Sequence, residues 1–159
     1  MFKGKHRECV QLAVRAPQGS TRKRIKGYIW AEFPNGEMNE RCIVDTGAEV
    51  TTIPSRIWSL FMTLDEVMQL DQRTVGGVGG GVVKVGETDL RVGLTGLDNP
   101  LQIPYDLGLC KVWLAHDVAT PMKQVLLGVG GGVLDRGGLC INWKEETVYY
   151  VEIDDILGP

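Results

Sequence analysis

Residues 42–54 read Cys42-Ile43-Val44-Asp45-Thr46-Gly47-Ala48-Glu49-Val50-Thr51-Thr52-Ile53-Pro54. An apolar run ends on an acid, a hydroxyl and a glycine, and a second apolar run follows. Ile43-Val44 has the character of a buried strand end, which delivers Asp45 to a turn from a rigid support. Thr46 supplies a hydroxyl, and Gly47 frees the backbone at the turn. An ordinary strand-to-turn junction also uses Asp and Gly, because both are common turn residues. The surroundings separate the two readings.

Upstream, Pro34-Asn35-Gly36-Glu37 sets a hairpin, since Asn-Gly accepts the positive φ of tight β-turns. The hairpin joins a strand over Ile25–Phe33 to one over Met38–Val44, so Asp45 ends a hairpin arm. Cys9–Val14, Asp89–Leu94 and Cys110–Leu114 read as further strands, with a loop over Leu97–Gly108 marked by Pro100 and Pro104. Leu139, Ile141 and Trp143 alternate in phase with Thr147, Tyr149 and Val151, which predicts a second hairpin around Lys144-Glu145-Glu146. Ile57, Trp58, Leu60, Phe61, Leu64, Val67 and Met68 have near-helical spacing and predict a short helical cover packed on the core. Between Thr74 and Val85, Gly76, Gly77, Gly79, Gly80 and Gly81 interrupt valines. Such a run suits a hairpin whose backbone approaches another backbone closely, not a central strand.

Three segments together resemble the retroviral-type aspartic proteases, or retropepsins. They are Ile43-Val44-Asp45-Thr46-Gly47-Ala48-Glu49 with Thr52-Ile53-Pro54, the glycine-rich stretch Val75–Val85, and Val125-Leu126-Leu127-Gly128. Order and spacing agree as well as the motifs, and the segments frame roughly residues 40 to 151. The resemblance implies an all-β fold, a closed-barrel single lobe with one or two short helices, expected as a two-fold homodimer. It implies that Asp45 is catalytic, that Thr46 and Gly47 support its loop, and that Ala48 and Glu49 pair with substrate backbone. Gly76, Gly77, Val78 and Gly79 correspond to the flap that closes over substrate, and Leu126 to an apolar wall.

Aspartic peptidase chemistry needs two carboxylates facing one water, and the chain carries one such motif. A homodimer is therefore expected to supply Asp45 from each subunit. Two carboxylates within about 3 Å cannot easily both ionise, so the pair is expected to share one proton. The ionised member takes a proton from the attacking water and the protonated member donates to the peptide carbonyl. No metal and no organic cofactor enters this scheme. Ala48 lacks the hydroxyl with which a serine there would stabilise the carboxylate, which predicts a mildly acidic rather than strongly acidic optimum.

Composition bounds the rest. At 159 residues the chain reads as one domain over 1–159, enough for a modest core but not for two lobes. Seventeen basic and 20 acidic side chains give a net charge of −3, which argues against nucleic acid as a main partner. The partners expected are a second copy and a peptide or protein substrate. No stretch approaches the ~20 apolar residues that span a bilayer, and Met1–Arg7 lacks the apolar core of a signal peptide, so no membrane association is expected and a soluble, cytoplasmic protein is. Cys9, Cys42, Cys110 and Cys140 lack metal-ligand spacing and read as buried free thiols; His6 and His116 read as incidental. Arg22-Lys23-Arg24 with Lys26 reads as the solvated face of an edge strand.

Two departures from the family pattern stand out. After Gly128 the chain continues Val129-Gly130-Gly131-Gly132-Val133-Leu134-Asp135-Arg136, poor helix material where the family places a helix. The polar brace behind the catalytic loop is then in question, with Arg136 and Glu49 as a possible substitute pair. Tyr149–Leu157 is a candidate interface strand. The alternative reading is a catalytically silent module of the same fold that binds peptides or dimerises.

Overall fold

Pro34 and Asn35 turn the chain back on itself, and Gly36, at φ +152, already pairs with Phe33 rather than sitting inside an Asn-Gly turn as expected; the two arms pair antiparallel from Lys26↔Ile43 to Phe33↔Gly36. The structure, a computed structural model, describes residues 6–16, 19, 21–76, 82–97, 103–116 and 124–153. Its elements are β1 (His6–Arg15), β2 (Arg24–Phe33), β3 (Gly36–Val44), β4 (Thr51–Ile53), α1 (Ser55–Trp58), α2 (Leu64–Met68), β5 (Asp71–Gly76), β6 (Val82–Gly96), β7 (Tyr105–Ala115), β8 (Val125–Leu127), β9 (Gly137–Asn142) and β10 (Thr147–Ile153), with a 3₁₀ turn at Leu134–Arg136. Mostly β with two short helices, the described chain has the composition of elements that its alternating patterns predict.

The strand order is β5-β6-β7-β4-β8-β3-β2-β1-β10-β9, and β2 also pairs with β6. That extra pairing closes a circuit through β2, β3, β8, β4, β7 and β6. Alternation explains how the circuit fills: along β2, Ile25, Ile29, Ala31 and Phe33 point inward, and Leu94, Val92, Leu114 and Leu127 meet them as fully buried side chains. Each such side chain contributes about 1.5–3 kcal/mol by leaving water. A second, smaller apolar cluster of Val50, Val85, Trp113 and Ala115 sits apart, with Val75 and Val83 packed against it.

Several expectations need correcting. β2 is not an edge strand, because β1, β3 and β6 all pair with it. Arg22, Lys23 and Arg24 are exposed ahead of and at the start of that strand, where Lys23 pairs with Glu146 at 2.8 Å, and Lys26 is half-buried. β7 begins at Tyr105, inside the segment read as a loop, because Pro104 only precedes the strand and leaves its ladder intact. In the helical cover Ile57, Trp58 and Val67 are buried, while Leu60, Leu64 and Met68 are exposed. α2 owes its start to a capping box: Thr63 Oγ1 accepts from Glu66 N, and Glu66 Oε1 accepts from Thr63 N, each at 3.1 Å. Cys42 and Cys110 are buried free thiols, but Cys140 is exposed on β9, and the side chain of Cys9 lies outside the described residues. Burial pushes Cys42 up to about 12 and Cys110 up to about 11, so neither is a thiolate at neutral pH. Finally, β10 is paired by β1 and β9, on both sides over Thr147–Glu152, so over that span it offers no free edge to a second copy.

Candidate active site

The local architecture follows from one short strand lying between two others. β8 runs parallel to β3, with Ile43 beside Leu126, and antiparallel to β4, with Thr52 beside Leu126. Residues 45–50 must therefore cross over the end of β8. They are laced to it: Asp45 N donates to Leu127 O at 3.0 Å, Val129 N to Ala48 O at 2.9 Å, and Gly130 N to Glu49 O at 2.8 Å. A fourth tie comes from a side chain, Gly128 N donating to Thr51 Oγ1 at 3.0 Å.

Crossing at such close range excludes any side chain at the contact. A Cβ on Gly128 would lie 2.3 Å from the carbonyl carbon of Val50 and 2.6 Å from the nitrogen of Thr51, both backbone atoms that cannot step aside. Gly131 follows with φ +78, a left-handed conformation that glycine adopts without strain, and its carbonyl accepts from Lys111 N at 2.8 Å. Glycine at 128, 130 and 131 is thus the price of bringing three backbones together, and only a 3₁₀ turn at Leu134–Arg136 stands where the family pattern has a helix. Asp135 Oδ1 closes this turn by accepting from Gly132 N at 2.8 Å.

Within the loop, Ala48 N donates to Asp45 O at 3.0 Å and Gly47 N to Asp45 Oδ1 at 2.9 Å. One carboxylate oxygen is thereby fixed by its own turn, and among the described residues the other has no hydrogen-bond partner. Asp45 is half-buried, Thr46, Gly47 and Glu49 are exposed, and Ala48 is half-buried. The result is a single oriented carboxylate, open on one side, carried on a loop tied to residues 127–130 by four hydrogen bonds.

Leu126, half-buried on β8, lies beneath this loop. Gly76 ends β5; its neighbour Val75 packs on the cluster that contains Val50, which connects that hairpin to the far end of the loop. Gly77, Val78 and Gly79 lie outside the described residues. Arg136 and Glu49 do not meet: an Arg136 guanidinium nitrogen lies 3.4 Å from where a Cβ on Gly108 would sit, and its charge acts on Asp106. Sequence reasoning missed Thr51, fully buried in the Thr51–Ile53 strand and set apart from Thr52 by nothing in the sequence, and Trp113, which gave no signal. A separate depression of about 560 Å³ beside α1 and α2, lined by Trp58, Leu64, Met68 and His116, includes none of the expected site residues.

Among solved structures, the crystal structure of a retropepsin-like aspartic protease from Rickettsia conorii is similar to this chain, with a TM-score of 0.59 over 96% of this chain and 98% of that one. The fold resembles that of a retropepsin. Sequence identity is 16%, a level at which likeness carries fold and not activity. No protein-family model matches the chain, and no curated protein matches it. Among the described residues of this retropepsin-like fold, no helix is long and apolar enough to cross a membrane.

Proposed function

We propose that the chain is an aspartic endopeptidase, a single closed-barrel lobe that works as a two-fold homodimer on extended polypeptides. The observation that carries this reading is the Asp45 loop. Its carboxylate is oriented by Gly47 N, its backbone is tied to Leu127, Val129 and Gly130, and its free oxygen has no protein partner among the described residues. A structural aspartate at a turn has no need of such lacing.

One carboxylate is half of the required pair, so the second copy supplies the other across the two-fold axis. The two share one proton. The ionised Asp45 draws a proton from the water as it attacks the peptide carbonyl carbon; the protonated Asp45 donates to the carbonyl oxygen and later assists departure of the amine. Thr46 and Gly47 hold the loop. Ala48 and Glu49 pair with the substrate backbone on one side, Gly76, Gly77, Val78 and Gly79 close over it from the other, and Leu126 lines an apolar subsite. The chemistry uses these residues and water alone.

A second reading, a silent peptide-binding or dimerising module, is favoured by one observation: Arg136 sets a guanidinium nitrogen beside Gly108 and, among the described residues, does not pair with Glu49 behind the loop. Assaying wild type and Asp45→Asn against a peptide library across pH, with a statine-type transition-state mimic, separates the two. Cleavage in wild type alone, blocked by the mimic, supports the peptidase; dimers without cleavage in either protein support the module; cleavage that survives Asp45→Asn contradicts the mechanism.

A further inference from the structure

On β6, Glu87 lies directly opposite Trp113 of β7 on one side and Asp71 of β5 on the other. Its carboxylate gathers three donors from those two neighbouring strands. Trp113 Nε1 lies 3.1 Å and Arg73 Nε 2.5 Å from Oε2, and Lys111 Nζ lies 3.4 Å from Oε1. The acid side chain is only 13% exposed beneath two cations that are each about half exposed, Arg73 at 50% and Lys111 at 48%. Arg73 also reaches Asp71 on its own strand at 3.5 Å, a looser contact.

Stability alone explains this arrangement poorly. Half-exposed ion pairs contribute little, typically 0–1 kcal/mol, and a phenylalanine in place of Trp113 would need no acceptor at all. What the acid does is geometric. It fixes the indole of Trp113 by its only polar atom and ties β5 to the same point. Trp113 belongs to the small apolar cluster that holds Val50, at the end of the Asp45 loop, and Val75 and Val83, which face one another at the root of the glycine hairpin. One aromatic plate is therefore shared by the loop that carries the carboxylate and the hairpin that would cover a peptide.

We propose that Glu87 is a positioning residue of the site: through Trp113 and Arg73 it sets the hairpin root over the Asp45 loop, and so governs how firmly a bound peptide is held. This rests on the peptidase reading for its consequence in catalysis, but not for its structural content. A hairpin root no longer tied to Trp113 is held less firmly beside the Asp45 loop, while the carboxylates stay in place; the loss belongs in KM more than in kcat.

The test uses full-length Glu87→Leu, Glu87→Gln and Arg73→Gln. Gln keeps an acceptor for Trp113 Nε1 and loses the ionic ties; Leu loses both; Arg73→Gln changes an exposed group and releases β5 alone. Amide hydrogen exchange is expected to quicken about tenfold at residues 71–76 and 82–86 in Glu87→Leu and by less in the other two, with β1 and β10 unchanged. With a cleavable peptide, KM is expected to rise about tenfold in Glu87→Leu and about threefold in Glu87→Gln, with kcat within about twofold of wild type. Exchange that quickens evenly over all strands, or not at all in the hairpin, overturns the proposal, as does a loss confined to kcat. If wild type cleaves nothing, the peptidase reading falls by itself and the exchange contrast still decides the role of Glu87. If Glu87→Leu does not fold, Arg73→Gln and Glu87→Gln decide it in the same way.

Discussion

At the scale of single residues, the most constrained position is Gly128. A methyl group there meets backbone at 2.3 Å, which neither a rotamer change nor a small shift relieves. Gly128→Ala is expected to destabilise the fold by about 3 kcal/mol or more, read as a lowered urea midpoint with unchanged slope. Gly76 is the contrast: nothing lies within 4 Å of its would-be Cβ, so Gly76→Ala should change stability by less than about 0.5 kcal/mol. Any loss of activity in Gly76→Ala would then be functional, measured as a change in kcat/KM at unchanged midpoint. Ala48, whose backbone is held at both N–H and C=O, can accept a serine without moving the loop. Ala48→Ser is expected to shift the acid limb of the pH–rate profile toward lower pH, because the added hydroxyl can donate to the ionised carboxylate; a profile that does not move would remove this role for residue 48. The Asp-Thr-Gly triplet and the strand that leads into it were legible in the sequence because local patterns specify them; the short strand after it, Thr51–Ile53, was not read as one. Thr51 was not, because its role is a bond to Gly128 N, 77 residues away in sequence.

At the scale of elements, pairings that join distant segments decide what alternation could not. The hairpin of β2 and β3 and that of β9 and β10 were readable, since each is local and carries its own turn. The glycines after Val129 were read correctly as unsuited to a helix, but their purpose, a close crossing beside Glu49 and Lys111, depends on chain segments the sequence does not bring together. The same holds for the acid groups that tie strands. Glu87 lies below its ordinary value of 4.5, chiefly through the Trp113 N–H and then Lys111 and Arg73. Asp106 lies below 3.8, chiefly through Arg91 and then Gly108 N. Both carboxylates are more acidic folded than unfolded, so their stabilisation is complete above these ordinary values and is lost as pH falls through the lowered ones. The urea midpoint of wild type is therefore expected to fall as the pH drops below about 4, and the fall should be shallower in Asp106→Asn and in Glu87→Gln. Equal pH dependence in all three proteins would show that other groups dominate.

At the scale of the whole molecule, the circuit of strands is complete within one chain, while the proposed chemistry needs two. The strand order ends at β5 and β9, so among the described strands those two bound the sheet. β5 carries Asp71 and Arg73, charges that discourage edge pairing, whereas Gly137–Asn142 carries none. The expectation that the C-terminal strand pairs across an interface does not hold over Thr147–Glu152, because β9 already covers it. No sequence pattern announced this; the hairpin was visible, but not which of its arms lay inside.

The central claim is that Asp45 works as a pair drawn from two chains, and subunit mixing tests it most directly. Wild type is held at a fixed concentration at which it is fully dimeric, and Asp45→Asn is added in increasing amounts while peptide cleavage is followed. A shared site requires that mixed pairs be inactive, so activity should fall to about half at equal amounts and continue toward zero with excess. Activity that stays constant at every ratio, from a wild type that cleaves, would mean that each chain carries its own complete site and would contradict the shared pair.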